Sequence, residues 1–357
     1  MNNIGRIQNK LAELGLDAIL LTDEKNQRYA TGFAFTDGSV LVGREKAWLI
    51  TDSRYIEAAE KTAGDCCAVR MFDREHSQAE LLRAALKDCG AQRVAAEDEK
   101  LSHARFVGLE KLLGLSLLGA GGLMTELRAS KSEEEIACMI RAQRISEKAL
   151  EEVLPIIRPG MTEKEVMAEL VYHMLRNGSE GNSFDPIVVT GANTSMPHGV
   201  PGDTVIREGD FVTMDFGSLY QGYCSDMTRT VAVGRATDEM KNVYAIVLEA
   251  QLAGIAAARS GIPGKEIDKA ARDVIEKAGY GAYFGHGFGH SLGLDIHEPP
   301  NAGPRGEALM ADGDVCSAEP GIYLPGKFGV RIEDVMILRP EGAEVITKAP
   351  KSELIVL

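Results

Sequence analysis

The chain has 357 residues, of which 45% are hydrophobic and 26% charged, and its formal net charge at pH 7 is −14. A single hydrophobic core stops growing at about 250–300 residues, so this length predicts two domains of an ordinary globular protein. The excess of acidic residues disfavours nucleic acid and anionic membranes as partners, because both are themselves negatively charged.

The sequence shows no sign of insertion into a membrane or of export. No apolar run is long enough to span a bilayer, and the first 15 residues follow a helical pattern rather than that of a signal peptide. The six cysteines include no C-x-x-C pair. We therefore expect a cytoplasmic protein with reduced thiols.

Strand-like and helix-like segments alternate over roughly the first 125 residues. A helical pattern containing Ile4, Ile7 and Leu11 ends at Gly15. Apolar strands are predicted at 17–22, 39–42, 47–51 and 93–96, and further helices after residue 77 and at 103–113. This alternation predicts an α/β layer domain, to which we assign residues 1–128. It contains no phosphate loop and no paired carboxylates, so we expect a structural or gating role for it.

Two capping boxes predict helices near the start of a second domain, residues 129–357. Ser132 pairs with Glu135 in the first box, and Thr162 with Glu165 in the second. Residues 160–166 are echoed by residues 261–267, and both segments begin an amphipathic helix that ends at a glycine. Such features recur by chance at helix starts; the alternative is a duplicated half-domain with a site where the halves meet. The mid-helix His173 is expected to be packed or solvated.

A hairpin predicted at residues 213–226 carries two aspartates. If the chain folds back at the Tyr220–Gln221 step, Asp215 and Asp226 lie directly opposite each other on one face. Apolar neighbours predict that both are buried, and no Lys or Arg lies between them. Like charges at that distance repel unless a cation separates them. A metal site is one interpretation, and a solvated loop framed by two aspartates is the other.

A second hairpin has the same design. Glu319 and Glu333 are symmetric about Gly326, within a Pro-Gly-Lys turn. Four of the seven histidines lie between residues 197 and 298, mostly in the glycine-rich segment between the two hairpins. Four carboxylates and one imidazole form a ligand set suited to two divalent cations, so the three segments together predict a metal centre.

One motif points to a different chemistry. Residues 289–293 match the G-x-S-x-G pattern of serine hydrolases, with Ser291 in the place of the nucleophile. That motif requires an apolar strand before it and a helix after it. Here a Gly-His-Gly-Phe segment precedes it and a Pro-Pro pair soon follows, so a serine nucleophile is disfavoured.

From residue 132 to residue 357 the motifs resemble those of the pita-bread metallopeptidases, and among them the Xaa-Pro peptidases, aminopeptidase P and prolidase. The matching segments are residues 214–217, 222–230, 286–298, 319–323 and 329–334. The first half resembles the creatinase-type N-terminal domain of that family in its layout and in residues 29–33. The resemblance implies an α/β (α+β) protein, with a creatinase-like domain followed by a pita-bread domain that has an internal pseudo-two-fold repeat.

The resemblance also implies the metal ligands, which fall on Asp215, Asp226, His290, Glu319 and Glu333. Asp215 and Glu333 would bridge two ions, Asp226 would bind one ion, and His290 and Glu319 the other. Two such ions can share a bridging hydroxide that attacks a peptide carbonyl. Manganese is the expected metal, with cobalt, zinc or iron as alternatives.

Other residues receive roles from the same resemblance. Glu319 is the candidate for transferring the proton of water to the leaving nitrogen. His198 and His297 would bind substrate and stabilise the oxyanion, and His286 would line the pocket. Arg331 would hold a carboxylate ligand, bind substrate or form a structural ion pair.

Two details of the site follow less directly. Ser317 and Ala318 stand where the family usually has Thr-Val, so we expect the contacts around the ligands to be adjusted. The preference for proline rests on the resemblance, and Phe284, Phe288 and Tyr323 are the apolar candidates for its slot.

The predicted function is hydrolysis of the bond before proline, in dipeptides or at the N-termini of short proline-containing peptides. The alternatives are a methionine aminopeptidase or creatinase-like hydrolase of the same fold, or a non-catalytic peptide-binding module. The resemblance suggests a homodimer. The choice between dipeptidase and aminopeptidase, the native metal and the preferred first residue stay open at this stage.

Overall fold

The computed structural model describes residues 2–357, and the chain divides into two compact units, one reaching Arg128 and the other beginning at Ala129. The first unit is built on one six-stranded sheet with the spatial order β4-β3-β2-β1-β5-β6. Its strands are β1 (Ala18–Leu21), β2 (Gly38–Gly43), β3 (Ala47–Thr51), β4 (Ala68–Met71), β5 (Val94–Ala96) and β6 (Leu118–Gly119). Its helices are α1 (Ile4–Glu13), α2 (Glu24–Thr31), α3 (Ile56–Ala63), α4 (Gln78–Asp88), α5 (His103–Leu113) and α6 (Leu123–Ala129). The predicted α/β layer is confirmed.

The second unit contains two pairs of helices, each packed against its own antiparallel sheet. The helices are α7 (Glu133–Val153), α8 (Glu163–Arg176), α9 (Asp238–Ala257) and α10 (Gly264–Lys277). The strands of the first half are β7 (Ile187–Thr190), β8 (Phe211–Phe216), β9 (Leu219–Tyr220), β10 (Tyr223–Cys224) and β11 (Met227–Ala232). Those of the second half are β12 (Gly289–Ser291), β13 (Glu298–Ala302), β14 (Val315–Ala318), β15 (Gly321–Leu324), β16 (Phe328–Arg331), β17 (Asp334–Arg339) and β18 (Gly342–Val345).

Each half has a hydrophobic core of its own. Leu170 of α8 packs with Val188 and Met214 of the three-stranded sheet β11-β8-β7. Ile267 of α10 belongs to a separate core with Met336 of the five-stranded sheet β13-β12-β14-β17-β18. Both predicted capping boxes are present at the starts of α7 and α8. The pita-bread arrangement expected for this unit is thereby confirmed.

The internal repeat is visible in main-chain hydrogen bonds. The N–H of Gly160 donates to the carbonyl of Ile206, and the N–H of Gly261 donates in the same way to that of Met310. Further equivalent bonds join Lys164 to Gly202 and Lys265 to Gly306, and isolated bridges pair Thr162 with Val205 and Pro263 with Leu309. A chance similarity of helix starts would not reproduce this pattern, so the two halves are structural repeats.

The first predicted hairpin exists, but its register differs by one residue at the turn. Tyr220 pairs with Tyr223, which leaves Gln221 and Gly222 as a two-residue loop, both at positive φ (49° and 78°). A loop of this kind matches the twist of the strands, and glycine at its second position favours it. Asp215 therefore pairs with Thr228, and Asp226 is its diagonal rather than its direct neighbour. The expected direct opposition of the two aspartates is wrong.

The second predicted hairpin has the expected register. Gly321 pairs with Arg331, and the pairing is centred on Gly326, whose φ is +72°. Glu319 and Glu333 lie just beyond the two ends of this ribbon, at symmetric positions. The ribbon therefore positions Glu319 and Glu333 at the same end of the hairpin.

Candidate metal centre

The five predicted ligand residues come from different strands and strand ends and converge at one point. Nε2 of His290, on β12, lies 3.3 Å from Oε1 of Glu319 and 3.7 Å from Oδ2 of Asp226. Ligand atoms of Asp226, His290 and Glu333 all lie within 4.8 Å of one another. Asp215, on β8, also lines this site.

Two backbone hydrogen bonds hold the glutamates against neighbouring segments. The N–H of Glu319 donates to the carbonyl of Phe288 at 2.7 Å, and that of Glu333 donates to the carbonyl of Thr228 at 3.2 Å. The second bond joins the ribbon β15-β16 to β11, which belongs to the other half. The position of the acidic groups is thus fixed by the main chain of both repeats.

The site concentrates negative charge in a buried place. Burial raises the pKa of Asp226 well above its ordinary value, and the carboxylates of Asp215 and Glu319 raise it further. Burial likewise raises the pKa of Glu333, with Asp226 as the next cause. Burial raises the pKa of Glu319 as well. Carboxylates that repel one another in a low-dielectric site are stabilised by a cation between them.

Individual atoms fit the binding of divalent cations. Oδ1 of Asp215 is buried without a hydrogen-bond partner in the described part of the chain, while Oδ2 accepts a bond of 2.7 Å from Arg331. Nδ1 of His290 lies 3.2 Å from the carbonyl oxygen of Ser291. Because a carbonyl only accepts, Nδ1 carries the proton and Nε2 presents its lone pair, as a metal ligand requires.

Hydroxyl groups form hydrogen bonds with the carboxylates of the predicted ligands. Thr228 Oγ1 donates to Oε2 of Glu333 at 2.7 Å. Ser317 Oγ donates to Oε1 of Glu319 at 3.0 Å and accepts from the N–H of His290 at 3.0 Å. The serine at position 317 therefore supplies these contacts to the two ligands with its own hydroxyl.

The predicted ligand residues lie in the wall of a cavity of about 1050 Å³. His198 and His297 are exposed residues in the same wall. The ring of His297 lies 4.3 Å from that of His290, centroid to centroid. Burial lowers the pKa of His297, and the adjacent His290 lowers it further. Two imidazoles therefore face the space next to the ligand cluster.

His286 and Arg331 also line this cavity but are held by protein groups. Nδ1 of His286 faces the carbonyl of Gly287, and Nε2 accepts from the hydroxyl of Tyr323, each at 2.9 Å. Arg331 donates to Asp215, to Tyr323 and to the carbonyl of Pro197. Of the roles considered for Arg331, this geometry favours holding a carboxylate ligand. His286 lines the pocket, and its nitrogens are occupied.

Some features of the wall differ from the sequence-based expectation. Phe284 and Phe288 are buried in the hydrophobic core and are not part of the wall, so they are wrong as candidates for a proline slot. The apolar lining comes instead from Phe184, Ile187, Ile296, Pro299 and Pro300. Arg305 is a lining residue that sequence reasoning missed. The internal repeat was the feature that could have identified Arg305, because the loop that carries it is equivalent to the loop after His198.

Residues outside the cluster behave as ordinary structural groups. Ser291 is buried on β12 and donates to the carbonyl of Pro300 at 2.7 Å, so it is not an exposed nucleophile. His173 is packed, with Nδ1 at 2.7 Å from Oε2 of Glu152. Of the helices in the described residues, none is long and apolar enough to cross a membrane.

Comparison with known proteins agrees with this geometry. Residues 137–340 match the model of metallopeptidase family M24, and residues 3–130 match that of the creatinase/prolidase N-terminal domain. The chain is 41% identical over 357 residues to a Xaa-Pro dipeptidase from Pyrococcus furiosus, with 96% of each chain covered.

Two solved structures share the fold over nearly the whole length. A Xaa-Pro dipeptidase from Bacillus anthracis has 42% identity and a TM-score of 0.94, with 99% of both chains covered. An X-Pro aminopeptidase from Thermotoga maritima has 37% identity and a TM-score of 0.93, with 98% of this chain and 100% of the other covered. The chain belongs to metallopeptidase family M24 and carries a creatinase/prolidase-type N-terminal domain.

Proposed function

We propose that this enzyme is a Xaa-Pro peptidase that acts on dipeptides and depends on two divalent metal ions. The observation that carries the proposal is the convergence of four carboxylates and one imidazole in the wall of a peptide-sized cavity. The names of the similar dipeptidases and aminopeptidase support the Xaa-Pro specificity.

The proposed ligands, which would together hold the two ions, are Asp215, Asp226, His290, Glu319 and Glu333. The buried oxygen of Asp215 that has no partner among the described residues supports this assignment. Two ions held in this way would supply Lewis acidity at the scissile carbonyl and lower the pKa of the attacking water. We take manganese as the metal, since oxygen-rich sites with one imidazole suit it.

Residues of the chain would carry the remaining steps. Glu319 would accept the proton of the attacking water and deliver it to the nitrogen of the departing proline. The imidazoles of His198 and His297 would donate hydrogen bonds to the substrate carbonyl as negative charge develops on its oxygen. His286 and Arg331 line the cavity, and the contacts of Arg331 would mainly hold Asp215.

Arg305 supports a dipeptide as the substrate. It is exposed in the cavity wall, and its guanidinium has no hydrogen-bond or ion-pair partner within residues 2–357. The remaining cation of the wall, Arg331, is occupied by Asp215. A free guanidinium binds a carboxylate with two parallel hydrogen bonds, and a dipeptide presents its C-terminal carboxylate close to the scissile bond. A longer peptide has a neutral amide there.

The test compares three substrates with the manganese-loaded protein. We expect Ala-Pro to be hydrolysed much faster than Ala-Ala, and faster than Ala-Pro amide, which lacks the carboxylate. Arg305→Gln should remove the advantage of Ala-Pro over its amide. Hydrolysis that survives Asp226→Ala would show that the ligand assignment is wrong. Faster cleavage of Met-Ala would favour a methionine aminopeptidase, and no hydrolysis of any peptide a binding module.

A homodimer and a cytoplasmic location complete the proposal. All six cysteines are free, which agrees with a reducing compartment. Sedimentation equilibrium of the purified protein tests the dimer, and a mass of one chain would contradict it. Fractionation of cells that express the protein tests the location.

A further inference from the structure

We propose that a buried ion pair between Lys131 and Glu298 positions His297 in the active site. Both side chains are almost fully enclosed, with 1% and 6% exposure, and Nζ lies 3.0 Å from Oε2. Glu298 directly follows His297 in the chain. This inference rests on the proposed function, in which His297 contacts the substrate.

The pair is fixed from both sides. Nζ of Lys131 also donates to the carbonyl of Ala129 at 2.8 Å, and its backbone N–H donates to the carbonyl of Gly313 at 2.9 Å. The second carboxylate oxygen of Glu298 accepts from the N–H of Asp295 at 3.1 Å. Lys131 is therefore held in place by two main-chain carbonyls, and Glu298 connects the segment before His297 to Lys131.

The turn that leads to His297 is shaped around this pair. A Cβ at Gly293 would lie 2.8 Å from Oε2 of Glu298 and 2.9 Å from Cε of Lys131. The carbonyl of Gly293 in turn accepts from the N–H of Cys224 at 2.8 Å. The close approach at Gly293 lets the ion pair sit directly beneath the turn, where it sets the path of the backbone toward His297.

His297 itself has few contacts that could hold it in place. It is exposed, and no hydrogen bond joins its ring to the residues that the structure describes. Among the described residues, its ring contacts that of His290, at 4.3 Å between centroids. A group that must donate to a developing oxyanion loses most of its effect when it is displaced by about 1 Å. The position of His297 therefore depends on its neighbour Glu298, and through it on Lys131.

The experiment removes the cation without shortening the side chain, in Lys131→Met. We expect kcat for Ala-Pro to fall about 10- to 100-fold with little change in KM, because the loss is in transition-state stabilisation. Lys131→Arg, which keeps the charge, should recover much of kcat. Lys148→Met is the matched control, since Lys148 pairs with Glu151 on the exposed face of α7, and it should leave kcat unchanged.

Two measurements separate positioning from a general loss of structure. If Lys131 acts through His297, the double variant Lys131→Met/His297→Asn should be no slower than His297→Asn alone, whereas independent defects would multiply. In the zinc-loaded protein, Lys131→Met should shift the imidazole resonances of His297, assigned by their loss in His297→Asn, and leave those of the distant His173 in place.

The outcomes are distinguishable. Unchanged His297 resonances in Lys131→Met, or fully multiplicative losses in the double variant, would overturn the inference. A shifted His297 resonance in a protein that does not hydrolyse Ala-Pro would support the positioning role and refute the proposed function. Should Lys131→Met fail to fold, the same two measurements on Glu298→Gln decide the question.

Discussion

Gly254→Ala should destabilise the second unit, although the same change inside a helix is normally stabilising. Gly254 lies within α9, where alanine is favoured over glycine by about 1 kcal/mol. A Cβ at this position would lie 2.3 Å from Cε2 and 2.4 Å from Cζ of Phe288. Ordinary contact begins near 3.4 Å, so the ring would have to retreat by the difference of about 1 Å.

The ring of Phe288 has no room to retreat. Phe288 is fully buried, its backbone N–H donates to Oδ1 of Asp268 at 2.9 Å, and its backbone carbonyl accepts from the N–H of Glu319 at 2.7 Å. Overpacking of this kind costs roughly 1–3 kcal/mol, and contacts as short as 2.3 and 2.4 Å place this site in the upper part of that range, about 2–3 kcal/mol. We expect a net loss of about 1–2 kcal/mol, or a melting temperature lower by roughly 2–8 °C in a unit of this size. Because Phe288 holds Glu319, hydrolysis should also slow.

Differential scanning calorimetry measures the effect. Gly108→Ala in α5 is the control, because a Cβ there meets nothing within 4 Å, and it should stabilise the first unit by up to about 1 kcal/mol. Adding Phe288→Leu to Gly254→Ala should give a smaller loss than the sum of the single changes, since the clash is relieved. A rise in the melting temperature with Gly254→Ala would refute the reasoning.

Three further predictions concern the charges of the site and its supports. The affinity for Mn²⁺ should fall as the pH is lowered, because carboxylates whose pKa is raised, among them Asp226 and Glu333, take up protons that compete with the metal. Calorimetric titrations that give the same affinity at pH 5 and pH 7 would contradict this. Arg331→Met should cost about 3–5 kcal/mol of stability in the metal-free protein, since it leaves Asp215 buried without its cation, and denaturant unfolding checks this. Glu163→Gln should cost about 1–3 kcal/mol by the same measurement, because this buried carboxylate accepts from the last residue of β7 and from two groups of the loop that carries His198. An unchanged midpoint would count against it.

Periodic patterns and turn chemistry predicted the elements well where both were strong. The capping boxes of α7 and α8 and the ribbon centred on Gly326 occur as expected, because each depends on neighbours in sequence. The register of the other hairpin was wrong by one residue. Symmetry between Asp215 and Asp226 suggested its centre, whereas the backbone preference of the Gln221-Gly222 loop determined it.

Polar groups that act at long range were beyond the reach of sequence patterns. Helix α2 buries Asn26, whose amide donates to Glu97 at 2.7 Å across 71 positions of the chain, and no local apolar stripe marks it. The pair of Lys131 and Glu298 is separated by 167 positions. Charged residues at such spacing look like ordinary surface until the fold brings them together. In the inference above the position of His297 depends on this pair, so the sequence named the histidine without showing what would hold it.

The two halves of the second unit resemble each other in their main-chain hydrogen bonds rather than in their side chains. The bonds from Gly160 to Ile206 and from Gly261 to Met310 use only N–H and carbonyl groups, which every residue except proline can supply in full. Side chains can therefore differ between the copies wherever the backbone is not held at positive φ, as it is at Gly160 and Gly261. The first copy carries Asp215 and Asp226, and the second carries the two glutamates and the imidazole. A symmetric main-chain framework thus carries an asymmetric set of polar side chains.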